Sequence, residues 1–221
     1  IVGLFVLYPV IVILIDSFVV GPIGGARHWG FDGWRAAFTD PTMLNAVANT
    51  VKVLVANESI SLPSAVLLAW LLARTDLPLR GMFEFAFWVT FFLPSLSVTL
   101  GWIVLLGPQN GLLNQVALSL PFVHTPPFDI YSFWGIVWAH ISTSSLAIKV
   151  MLLTPLFRNL DAAFEEAARC SGAGRWMTLT RIVIPAVAPG ILTVLVLSVI
   201  RAMQTFEIEM VLGPPFNFWV F

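Results

Sequence analysis

Charge is what this sequence has least of. Only 10% of its 221 residues are charged, 11 basic and 12 acidic, for a net charge of −1. Soluble domains carry about a quarter. Without a basic excess there is nothing to neutralise a phosphate backbone, which excludes a nucleic-acid binder. A hydrophobic share of 58% excludes a disordered chain. The one cysteine, Cys170, excludes an intrachain disulfide framework and a multi-cysteine metal cluster. No G-x-x-x-x-G-K-[ST] phosphate loop is present, and no spacing suggests a Ser/His/Asp or Cys/His set. His28, His124 and His140 are scattered, so no metal site and no catalytic residue is expected. No internal repeat or low-complexity tract stands out. What remains is apolar residue in excess of what a soluble domain of this length can bury, which points to an integral membrane protein.

A hydrocarbon core about 30 Å thick takes about 20 apolar residues as helix. Phe85 to Leu106 gives 22 residues without a charge, and Ile130–Ile148 and Ile182–Ile200 give 19 each. Ile1 to Ile15 is apolar and lacks both a charged leader and a small-residue cleavage site, so it reads as a span rather than a signal peptide. Ala46 to Leu72 is a fifth candidate, with Lys52, Asn57 and Glu58 in its more polar half facing protein. The runs are continuous rather than alternating, and backbone groups in lipid must pair internally, so the spans are helices. Pro9, Pro63, Pro94, Pro185 and Pro189 sit in or beside them and invite kinks. The expected fold is all-α: a polytopic transmembrane bundle of about five spans. Phe216–Phe221 looks like the start of a sixth, so the sequence reads as a fragment at both ends.

Loop arginines set the orientation. Segments 73–83 and 155–181 hold Arg74, Arg80, Arg158, Arg169, Arg175 and Arg181, whereas the alternate loops hold only Arg27 and Arg35. The first two segments are therefore expected in the cytoplasm. The outer loops carry Trp29, Phe31 and Trp34, rings suited to the headgroup level.

The most informative stretch is 159–189. Asp161 suits a helix N-cap, and Glu165 and Glu166 fall in the early turns, where negative charge complements the dipole. Ala162, Ala163, Ala167 and Ala168 favour helix, and Gly172 and Gly174 break it. A second short helix from Arg175 would lead into the span at Ile182. By themselves these features fit a solvated helix face with a glycine cap.

The spacing adds more. Glu166-Ala167-Ala168, three residues, Gly172, nine residues, Ile182, one residue, then Ile184-Pro185 resembles the loop signature of binding-protein-dependent ABC importer permeases of the MetI-like type. Ile184 stands where that family usually has leucine. The pattern fixes seven positions at set spacings, and six of them agree, between two spans, on the side expected to be cytoplasmic. The resemblance implies that 155–185 is a coupling loop in which Glu165, Glu166, Ala167, Ala168, Gly172, Ile182, Ile184 and Pro185 serve docking on an ATPase subunit. It implies that 1–221 is a single importer transmembrane domain in a bacterial inner membrane. Its partners would be ATPase subunits, a periplasmic substrate-binding protein and a second permease half. The chain would bind no cofactor itself, ATP and Mg being used by the ATPase.

Ala69–Pro78, Gly111-Leu112-Leu113-Asn114, Thr205-Phe206-Glu207 and Leu212-Gly213 are similar to the ferric iron branch of these permeases. That branch commonly joins two halves in one polypeptide, and this chain looks like the first. Related branches carry polyamines, thiamine and phosphonates.

Outside the loop, Glu58, His140, Arg201, Glu207 and Glu209 are candidate pathway residues: Glu58 and His140 as ionisable groups within spans, and Arg201, Glu207 and Glu209 near the outer end of a span, where they could receive cargo from a binding protein. Each has a plainer reading. Glu58 would pair with a neighbouring helix, and His140 would hydrogen-bond inside the bundle. Arg201, Glu207 and Glu209 would anchor at the interface. Lys149 is expected near the inner end of its span, snorkelling to the surface. An ATP-independent channel or secondary transporter predicts matched broken helices and leaves the loop unexplained. A membrane-embedded enzyme needs clustered His, Asp or Glu, which the sequence lacks.

Overall fold

The computed structural model describes residues 2–21 and 27–220; the side chains of Val2, Leu4, Val6, Glu165 and Arg169 lie outside the described residues. The chain divides into two compact units, 1–50 with 220–221, and 51–219.

The first unit contains helix α1 (Val2–Asp16), a two-residue antiparallel pair β1 (Val19–Val20) and β2 (His28–Trp29), and helix α2 (Asp32–Thr39). Phe18 touches the Phe31 and Trp34 rings at centroid distances of 5.5 and 6.0 Å. Helix α3 spans Pro41–Arg74, with Pro63 inside it.

In the second unit α3 is followed by α4 (Arg80–Phe92), α5 (Ser95–Leu106) and α6 (Leu112–Leu118). Then come α7 (Phe133–His140), α8 (Leu146–Arg158), α9 (Ala162–Cys170), α10 (Arg175–Thr178), α11 (Ile184–Ala202) and α12 (Glu207–Leu212). Wide π-type turns over Ile141–Ser145 and Leu179–Val183 join α7 to α8 and α10 to α11. The first contains a non-helical residue, Thr143, with φ −86° and ψ −145°. Hydroxyls compete for the backbone there: Ser142 Oγ donates to the Ala139 carbonyl at 3.1 Å and Thr143 Oγ1 to the His140 carbonyl at 2.9 Å.

Among the described residues three helical segments are long and apolar enough to cross a membrane: Pro41–Arg74, Phe133–Arg158 and Arg175–Ala202. This is fewer than the five spans expected, for two physical reasons. Leu93 and Pro94 are extended because a residue before proline avoids helix, so Phe85–Leu106 is not one rod. It is the pair α4 and α5, bent by 103°, and a fourth crossing only if the pair counts as one. Helix α1 has 15 described residues, about 22 Å at 1.5 Å per residue. The sixth span is not seen to begin: Asn217 has φ +56°, Phe218–Val220 is not helical, and Phe221 lies outside the described residues. Phe216 and Phe218 instead stack on each other at 5.3 Å and pack against a core.

That unit has two apolar cores. One joins Ala65, Ala69 and Leu72 of α3 to Val150, Leu153 and Phe157 of α8 and to Leu179, Val183, Val187 and Val194. The other joins Val53 of α3 to Ile130, Ile136, Ala139, Ile208 and Leu212. Along α3 the buried polar residues Asn57, Glu58 and Ser61 fall between the two.

Candidate functional site

Helix α9 is short because its sequence starts and stops it. Asp161 Oδ1 accepts from the Ala163 N–H at 2.9 Å, a side-chain cap on the first turn. At the other end the Ala173 N–H returns to the Ala168 carbonyl at 3.0 Å, past Gly172 at φ +81°. That left-handed angle suits glycine, and the closure is a glycine C-cap. The loop thus has the helix, break and second helix expected of it.

Ala168 is buried, which seats α9 on the bundle, while Glu166, Ala167 and Gly172 are exposed. The side chain of Glu165 lies outside the described residues. Ile182 and Ile184 are half-buried, Ile184 packing against the first core, and Pro185 is exposed in the first turn of α11. Phe164, Trp176 and Met177 are exposed large apolar side chains on the same loop. Thr178, Leu179 and Val183 anchor the return arm, all buried.

Between the two cores lies a polar layer. Lys149 has 0% of its surface exposed. Its Nζ donates to Glu58 Oε1 at 2.9 Å, Ser61 Oγ at 2.7 Å and Ser145 Oγ at 2.9 Å, which uses all three ammonium donors. Ser198 Oγ donates to the other Glu58 oxygen at 2.9 Å, and Asn57 Nδ2 donates to Glu58 Oε1 at 3.3 Å and Ser145 Oγ at 3.1 Å. One ion pair thereby ties α3, α8 and α11 together. Lys149 does not snorkel; a carboxylate and two hydroxyls in the interior satisfy it better than a stretched route to the surface. Of the two readings of Glu58, the helix-to-helix pair is the one seen.

A second buried pair lies nearby. The His140 Nε2–H donates to Glu209 Oε1 at 2.7 Å, joining α7 to α12. The expectation of an interfacial anchor fails for Glu209, which is buried because His140 gives it a partner inside. Its Oε2 and Asn57 Oδ1 are buried without a hydrogen-bond partner. Glu207 is exposed and accepts from Ser95 Oγ at 2.6 Å. Arg201 is exposed and lines a cavity of about 40 Å³ with Asn57, His140, Thr143, Ser145 and Ser198. So His140 and Glu209 meet each other, Glu58 meets Lys149, and Arg201 shares the cavity with His140.

Sequence reasoning missed Lys149, Ser61, Ser145 and Ser198 as one network, because the bonds that join its helices span 88, 91 and 140 residues. The signal available was a Lys and a Glu, each inside an apolar span. Asn114, quoted above for its motif, stitches a loop: its Nδ2 donates to the Gly107 and Phe128 carbonyls at 2.9 Å each, and its Oδ1 accepts from the Phe128 N–H at 3.0 Å. Gly111 of the same motif lets two backbone segments close, since a Cβ there would sit 2.4 Å from the Gly107 carbonyl oxygen. Among the described residues no group of His, Cys, Asp and Glu is arranged to hold a metal.

Comparison with known proteins fits this architecture. ModB, the molybdenum transport system permease protein of Escherichia coli strain K12, is 27% identical over 177 residues, 76% of this chain and 70% of that protein. PotB, the spermidine/putrescine transport system permease protein of Salmonella typhimurium strain SL1344, is 30% identical over 145 residues, 66% of this chain and 50% of that protein. The crystal structure of a bacterial ABC transporter involved in alginate import shares the fold, with a TM-score of 0.79 at 20% identity over 95% of this chain and 72% of that one. Residues 65–220 match the family described as binding-protein-dependent transport system inner membrane component. The chain belongs to that family, and is an inner-membrane permease subunit of an ABC importer.

Proposed function

We propose that this chain forms the translocation path for a cargo delivered by a periplasmic binding protein, and that α9 receives the motion of a separate ATP-hydrolysing subunit. What supports the reading is α9 itself, a capped helix with Glu166, Ala167 and Phe164 outward, interrupted at Gly172 and set between two apolar spans. Small alanines admit a close partner surface, Glu166 offers a charged acceptor, and exposed apolar side chains gain by being covered. With α9 in the cytoplasm, closure of an ATPase dimer tilts α8 and α11 through their connections to the loop. A second permease half completes the pathway. In this topology α1 and the bent α4–α5 pair are spans too, and 155–185 is the coupling element of a single transmembrane domain.

The buried pairs give a reason for motion as bodies. The polar layer holds α3, α8 and α11 in register, so a push on the loop moves the three together. Cargo selection falls to the binding protein. The ferric iron cargo rests on the shorter sequence motifs alone; the two relatives above are named for molybdenum and for spermidine/putrescine.

The test is purification of the tagged chain with its neighbouring ATPase subunit. The wild type retains the ATPase, and a Gly172→Asp chain inserts but loses it. Normal retention and normal stimulation of ATP turnover by Gly172→Asp would remove α9 as the contact. Uptake in vesicles with binding protein and radiolabelled ferric ion, molybdate or spermidine then assigns the cargo.

A further inference from the structure

The angle of α9 must be fixed for a push on it to reach the spans, and one side chain outside the loop does this. We propose that Arg74, the last residue of α3, is the positioning residue that locks the root of α9; this rests on the reading of α9 as the ATPase contact. Arg74 Nε donates to the Phe157 carbonyl at 2.8 Å, and its Nη2 donates to the Leu160 carbonyl. The Phe157 carbonyl is in the last turn of α8, where its backbone donor is a turn N–H, that of Leu160 at 3.4 Å, and Leu160 lies just past the helix end. A guanidinium suits the place twice over. Its fork reaches two acceptors at once, and its charge complements the negative end of the helix dipole.

Chain connectivity makes the contact matter. Only Asn159, Leu160 and Asp161 separate α8 from α9, and Asp161 is the residue that caps α9. The clamp on Leu160 is therefore adjacent to the cap. Phe157, whose carbonyl takes the other bond, is fully buried in the first core with Leu72 of α3. From α3 to the first turn of α9 there is no slack link: a buried ring, two carbonyls on one guanidinium, and a side-chain cap.

The return arm is anchored by its own buried Thr178 and Leu179 rather than by α3: a cavity of about 390 Å³ lies among Trp70, Arg74, Asp76, Leu77, Arg175 and Thr178. Helix α4 adds an ion pair from Glu84 to Arg158, but both side chains are about a third exposed, 33% and 39%. Exposed pairs contribute little. Arg74 is thus the stiff tie between the entering side of the lever and the long helix that carries Glu58.

Cys170, the last residue of α9, is exposed and is the chain's one cysteine, so a nitroxide on it reports α9 without further engineering. In the purified full chain the label is expected to be restricted in the wild type and freer in Arg74→Gln, with Arg74→Lys between them. In vesicles holding the complete importer, Arg74→Gln should keep ATP turnover and lose about tenfold in transport per ATP, the size expected for lost charge-assisted hydrogen bonds. A merely structural role would lower the melting temperature and move neither label mobility nor transport per ATP. Unchanged label mobility and unchanged transport per ATP in an assembled Arg74→Gln importer would overturn the proposal. If that variant does not assemble, Arg74→Lys decides: it keeps the charge and loses the fork, and wild-type coupling in it would overturn the proposal equally. Failure of the wild type to retain an ATPase refutes the reading of α9 and leaves the label result to stand separately.

Discussion

The polar layer and the loop around α9 use similar residues in opposite ways. In the layer, Glu58 and Lys149 are buried and spend their hydrogen bonds on α3, α8 and α11. On the loop, Glu166 is exposed and the neighbouring apolar side chains Phe164 and Trp176 point outward. One region turns its polar atoms inward; the other turns its side chains outward, as the proposed ATPase contact requires. A machine that passes force needs both kinds, a rigid frame and an open contact. Damage to the frame should therefore appear as lost stability, and damage to the contact as lost coupling at unchanged stability.

The largest effect belongs to the frame. Lys149→Met leaves Glu58 as an unpaired buried charge and is expected to cost about 3–5 kcal/mol, read as a lower melting temperature in detergent. Adding Glu58→Gln should restore much of that loss, because the double variant buries no lone charge. If the double variant is as unstable as the sum of the singles, the two residues are not the pair described.

His140→Ala comes next. It deprives Glu209 of its hydrogen-bond partner, at an expected cost of about 1–3 kcal/mol. Hydrogen exchange should place the loosening at α7 and α12 and leave α9 unaffected. Exchange that spreads evenly through the second unit would erase the distinction between the layer and the rest.

Gly172→Asp sits on the boundary between the two classes. Its φ of +81° costs a non-glycine residue about 1–2 kcal/mol, so the end of α9 shifts while the cores stay packed. Circular dichroism should change little and ATPase association should fall. Smallest in stability is Glu166→Lys, within about 0.5 kcal/mol of wild type as for an exposed substitution. It is nonetheless expected to abolish transport, since charge reversal at the contact repels the partner. Equal transport in that variant would move Glu166 from contact to solvated surface.

The contrast also explains what was legible in the sequence. The loop's features lie within 27 consecutive positions, 159–185, so caps, alanines and glycine could be read by spacing, and the helix, break and second helix follow. The layer depends on contacts between residues far apart in the chain, and no local pattern says that Lys149 turns inward to Glu58 rather than outward to the interface. The interfacial alternative for Glu209 fails for the same reason: its position near a helix end is visible in the sequence, but His140 as its partner is not. Hydropathy found the three long spans. A running average of apolar character is blind to the bend at Pro94, but the proline itself invites the kink that is found there, with an extended residue before it. The shorter motifs were read as marks of a branch, and Gly111 and Asn114 turn out to be stitching for a loop.

The most direct measurement replaces Phe164, an exposed residue of α9, with a photo-crosslinking amino acid in the membrane-embedded importer. The account predicts a covalent adduct with the ATPase subunit that disappears in Gly172→Asp. An adduct with lipid or with the periplasmic binding protein, in vesicles that transport normally, would contradict it.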